Sequence, residues 1–96
     1  MKTTFNPQLS TLTLQPQPQP HWDEFVDWGK NFLAKVPQTQ FNHHDTGADL
    51  HKLTFTFGQN RFSLNYETYS DSIWIETDEP NASDGIVQLQ AAIAQL

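Results

Sequence analysis

Between Gln40 and Asp78 apolar and polar residues alternate almost without a break. "FTFGQNRFSLNYETYSDSIWIE" carries Phe55, Phe57, Phe62, Leu64, Tyr66, Ile73 and Ile75 with polar residues set between them. Side chains along a strand point alternately to opposite faces, so a period of two marks strands with one buried face. Pairing the apolar positions predicts a four-stranded antiparallel meander. A turn at Gln59-Asn60 sets Phe57 against Phe62, Phe55 against Leu64 and Leu53 against Tyr66. A turn at Tyr69-Ser70 sets Tyr66 against Ile73 and Leu64 against Ile75. A loop at Thr46-Gly47-Ala48 sets Phe41 against Leu53 and His43 against His51. These registers gather the large apolar side chains on one face, as half-buried strands require. The other face carries His44, Lys52, Thr54, Ser63, Asn65, Glu76 and, as its one large ring, Trp74.

The period changes on both sides of this block. In "PHWDEFVDWGKNFLAKV" (20–36), Trp22, Phe25, Val26, Gly29, Leu33 and Val36 follow the three-and-four spacing of a helical apolar stripe. Asp23, Glu24 and Asp27 suit the positive end of the helix dipole, and Lys30 and Lys35 its negative end. Trp28 falls off the stripe, and Pro37 stops the helix. "PNASDGIVQLQAAIAQL", from Pro80, predicts a second helix with Ala82, Ile86, Leu89, Ile93 and Leu96 inward.

Ahead of the first helix, "LSTLTLQ" (9–15) reads as a short strand, and residues 1–8 as a loose segment. Between strand and helix runs "QPQPQP". Alternating prolines can continue neither a ladder nor a helix, so this is an extended connector. Ligands of proline-recognising domains space their prolines three apart rather than two. The expected fold is thus α+β: a two-layer sandwich of strand, helix, four-strand meander and helix. Its sheet is mainly antiparallel, both helices lie on one face, and residues 9–96 form a single domain.

Composition narrows the function. The 96 residues carry a net charge of −6, and their five Lys and Arg are scattered. Phosphate-backbone binding and adhesion to anionic membranes are disfavoured. With no cysteine, disulfide frameworks, thiolate metal sites and cysteine nucleophiles are excluded. "MKTTFNPQLS" is unlike a secretory leader, which makes the cytoplasm the expected compartment.

The candidate chemistry lies in "NHHDTGADLH". His43, His51, Asp45 and Asp49 could hold zinc or another divalent metal, and a bound metal could activate water for hydrolysis. The plainer reading of this stretch is a solvated hairpin end that needs no cofactor. Serine-nucleophile and phosphate-loop signatures are lacking. Trp74 on the polar face and Trp28 off the helical stripe are candidate contacts for a protein partner. The layout resembles small acidic bacterial partner proteins such as secretion chaperones and toxin immunity proteins, without a shared motif. The leading expectation is a non-enzymatic protein–protein interaction module; the alternative is a metal-binding protein or metal-dependent hydrolase.

Overall fold

The chain forms one six-stranded antiparallel sheet and two helices in a computed structural model that describes residues 1–79 and 83–96. In chain order the elements are β1 (Lys2–Asn6), β2 (Thr11–Gln15), α1 (Phe25–Lys35), β3 (Thr39–Thr46), β4 (Leu50–Phe57), β5 (Asn60–Glu67), β6 (Ser72–Thr77) and α2 (Ser83–Ala94). The strands lie in the order β1-β2-β6-β5-β4-β3. After β2 the chain crosses to the far edge through α1, then returns strand by strand until β6 pairs with β2.

The N-terminal segment corrects one expectation. Residues 2–6 are not loose: they form β1, with Thr3 opposite Leu14 and Phe5 opposite Leu12. Asn6 Oδ1 accepts hydrogen bonds from the Gln8 and Leu9 amides, at 3.0 and 3.2 Å, and so shapes the turn. One large apolar residue, Phe5, is too little alternation to reveal a strand.

The first helix begins later than its stripe suggests. α1 starts at Phe25, because His21–Glu24 form a separate turn closed from both sides. The Glu24 amide donates to the His21 carbonyl, and the His21 amide to Glu24 Oε1, each at 3.0 Å. α2 is described from Ser83; Pro80 and Ala82 lie outside the described residues.

The registers follow the apolar pattern with two changes. β5 and β6 pair as the sequence predicts, Tyr66 with Ile73 and Leu64 with Ile75. β4 and β5 are offset by two residues from the predicted register: Phe55 meets Phe62, Leu53 meets Leu64, and His51 meets Tyr66. The turn is Gly58-Gln59, because glycine readily takes the positive φ of 62° that the first turn position adopts. A shift of two leaves every side chain on its own face, so the core is unchanged. On β3, Asn42 is a bulge: Phe41 pairs with Phe55, and the next pair is His43 with Thr54. One extra residue exchanges the faces of everything after it.

The core joins sheet and helices. Leu12, Leu14, Leu53, Phe55, Phe62, Leu64, Ile73 and Ile75 are fully buried with Phe25 and Leu33 of α1 and Ile86 and Leu89 of α2. Gly29 of α1 presses on Leu53 and Leu64, and Gly85 of α2 on Phe62 and Asn60. The register places these four partners on the same side of the sheet. On the other side Trp74 is half-buried rather than freely exposed as its position suggests. Beside it Ser63 and Asn65 are 0% and 1% exposed, and Asn65 Nδ2 donates to Ser63 Oγ at 3.0 Å. The central strand is therefore covered on its polar face too.

Candidate functional site

One end of the sheet gathers most of the polar aromatic chemistry. The β3–β4 loop, the β5–β6 loop and the segment before α1 meet there. The Thr68 amide donates to the Asp49 carbonyl at 3.1 Å, which ties the two loops together. Gln19 Nε2 donates to the Asp71 carbonyl at 2.6 Å, which brings in the connector. Pro16 and Pro20 are buried and Gln17 and Pro18 exposed. The proline stretch thus packs along the fold as a connector, bending at the cis Gln17-Pro18 peptide.

His51 is the centre of this end. Its β4 position opposite Tyr66 sends the ring to the helix side, where it is 6% exposed. Trp22 stacks on it, ring centroids 3.8 Å apart and planes 27° apart. Phe25 lies 5.8 Å away on a nearly parallel plane. His51 Nε2 lies 3.1 Å from the Trp22 carbonyl oxygen. A carbonyl can only accept, so Nε2 carries the proton and Nδ1 is left as the acceptor. Burial pushes the His51 pKa down, partly opposed by the Trp22 carbonyl and reinforced by the neighbouring His44. Burial therefore favours the neutral ring.

The Asn42 bulge brings two more groups to His51. Thr46 stands opposite His51 and His44 opposite Leu53, on the helix side. His44 Nε2 lies 3.1 Å from His51 Nδ1, and Thr46 Oγ1 lies 2.7 Å from the first nitrogen and 3.3 Å from the second. Next to them the Tyr66 hydroxyl donates to Asp71 Oδ1 at 2.5 Å. That bond and burial raise the tyrosine pKa to about 12. Asp71 holds a left-handed backbone (φ 52°), which aspartate tolerates better than most residues.

The four residues proposed as metal ligands are not brought together. His43 and Asp45 pair with each other at 2.9 Å on the opposite face, both mostly exposed. His51 is on the helix side, and Asp49 sits in the loop, where its carbonyl serves Thr68. Among the described residues no group of three or more His, Asp or Glu could hold a metal ion. The residue that the sequence reading missed is His44. The signal was in the dipeptide: adjacent histidines on a strand put one ring on each face whatever the register.

The two tryptophan candidates lie on different faces. Trp28 is half-buried and stacks parallel to Phe32, centroids 5.3 Å apart and planes 1° apart. It walls an open groove of about 460 Å³ with Asn31, Phe32, Lys35, Ile93 and Leu96. It also walls a second, of about 370 Å³, with Pro18, Pro20, His21 and Glu24. Trp74 stands across from Asn65 and Thr13, on the side of the sheet opposite Leu64 and Ile75.

Fold and site together define an open-sheet α+β protein with an aromatic-roofed histidine pair and a tryptophan-walled groove. The chain belongs to the family described as "Protein of unknown function (DUF3630)", whose model matches residues 2–95. No curated protein and no solved structure matches it. Among the described residues no helix is long and apolar enough to cross a membrane.

Proposed function

We propose that this is a non-enzymatic cytoplasmic protein that binds a segment of a partner protein in the groove walled by Trp28. The observation that carries this reading is the ring itself. It is half-buried, parallel to the Phe32 ring, and shared by two grooves. A ring already fixed by packing loses little entropy on binding, and tryptophan in a groove is a frequent energetic anchor. The chemistry of the walls defines the occupant. Phe32, Ile93 and Leu96 offer apolar surface, and Lys35 is the charged side chain among the described residues of the main groove. The complementary segment carries apolar side chains and a carboxylate that reaches Lys35.

The test is quantitative affinity capture with wild-type, Trp28→Ala, Lys35→Glu and Trp74→Ala baits, followed by titration with the purified partner. The expected partner is retained by wild type and Trp74→Ala, lost with Trp28→Ala, and weakened with Lys35→Glu by about tenfold, because the reversed charge repels the segment's carboxylate. A folded Trp28→Ala protein that keeps its partners at unchanged affinity rejects the groove. Dependence on Trp74 instead moves the contact to the polar face of the sheet.

A further inference from the structure

We propose that His44 Nε2, His51 Nδ1 and Thr46 Oγ1 form a binding site for a borderline first-row divalent cation such as zinc. The site is separate from the Trp28 groove, and of the His43, His51, Asp45 and Asp49 set that the sequence suggests it keeps His51 alone. Three donor atoms form a closed triangle with edges of 2.7, 3.1 and 3.3 Å. Without a metal, two protons link the triangle as a chain, His44 Nε2–H to Thr46 Oγ1 and the Thr46 hydroxyl to His51 Nδ1, while the His51 Nε2 proton goes to the Trp22 carbonyl. The close third edge between the two imidazole nitrogens is then left without a proton of its own. A cation at the open side of the triangle accepts a lone pair from all three.

The dimensions fit. Zinc–nitrogen bonds of about 2.0–2.1 Å at tetrahedral angles set neighbouring donors roughly 3.3–3.4 Å apart. The observed edges come within a few tenths of an ångström of this, apart from the shorter Thr46–His44 contact. The His44 and His51 ring centroids are 5.2 Å apart, well beyond the separation of the two nitrogens. The nitrogens therefore face each other, and the rings are not stacked.

The surroundings fit as well. A histidine that binds metal through one nitrogen usually donates from the other to a carbonyl or carboxylate, which fixes the ring and raises its basicity. His51 makes that bond to Trp22, and the Trp22 ring holds it from the side. Thr46 is exposed and His44 half-buried, so the triangle opens to solvent, where water can complete the coordination. Two imidazoles select zinc, copper or nickel over magnesium or calcium. A neutral hydroxyl is a weak third ligand, which sets the expected affinity in the micromolar range.

The test is calorimetric titration of the full chain with zinc chloride near neutral pH, with histidine ring resonances followed by NMR. The expected result is one equivalent bound, with the rings of His44 and His51 shifting and those of His21 and His43 unmoved. His44→Ala should weaken binding at least about tenfold, Thr46→Val severalfold, and His43→Ala not at all. His44 and Thr46 are not in the closed core, so neither variant depends on surviving a core truncation. The absence of any heat or ring shift at millimolar zinc overturns the site. So does binding that survives His44→Ala, or that His43→Ala weakens equally, which would mark scattered surface histidines only.

Discussion

His51 joins buried packing to titration. Its depressed pKa means that the folded chain binds a proton less readily than the unfolded chain. Its contribution to stability is therefore complete above the unfolded value of about 6.5 and is lost as pH falls through the lower folded value. The stability gap between wild type and His51→Gln, from urea melts, should be larger near pH 7 than near pH 5. An unchanged gap would show that protonation of His51 does not control stability in this range. Tyr66 has the opposite sign, since its raised pKa contributes stability below about pH 10 that is lost on the way to about 12. The two faces of the sheet give a second contrast. Phe55→Ala should cost about 3–5 kcal/mol as a core truncation. Trp74→Ala should cost only about 1–2 kcal/mol, because the ring is half-buried over a polar layer. Paired denaturant melts decide it, and equal losses would mean that Trp74 belongs to a second core. The sealed Ser63–Asn65 pair beneath that face was not legible, since small polar residues at alternate positions read as solvated surface.

At the level of elements, legibility follows the source of each register. The β5–β6 pairing was readable because two apolar pairs and a short polar loop admit one alignment. The β4–β5 turn was misplaced by two residues because Gly58, not the apolar pattern, selects it. The Asn42 bulge left no mark in a polar stretch, and with it went the sequence-level choice of His43 over His44. α1 was recognised, but its stripe ran on into the separate turn at His21–Glu24, where Trp22 still faces inward onto His51. Gly29 within that helix has a packing reason. Alanine is the better helix former by roughly 1 kcal/mol, yet its methyl group would run into the side chains of Leu53 and Leu64, both fully buried. Gly29→Ala should therefore destabilise the protein by about 1–3 kcal/mol, the usual cost of overpacking. A rise in melting temperature would show that α1 can lift from the sheet without loss.

For the molecule as a whole, the N-terminal hairpin is part of the sheet. β1 covers one edge of β2, and Gln90 of α2 donates through Nε2 to Thr3 Oγ1 at 3.2 Å. Removing residues 1–8 should lower the melting temperature and promote self-association, because the Leu12–Leu14 strand becomes an open edge. Calorimetry and sedimentation check both effects, and a truncated chain with unchanged behaviour would restore the loose-segment reading. The strand order also bears on synthesis. β2 is made early but pairs with β6, the last in sequence of the described strands. Until Ile73 and Ile75 have left the ribosome, Leu12 and Leu14 have no inner neighbour in the sheet. Pairing between such distant segments comes late because loop closure must be met before contacts reward it. The sheet therefore stays open beside β2 until the sixth strand is available, and its closure is a late event in folding.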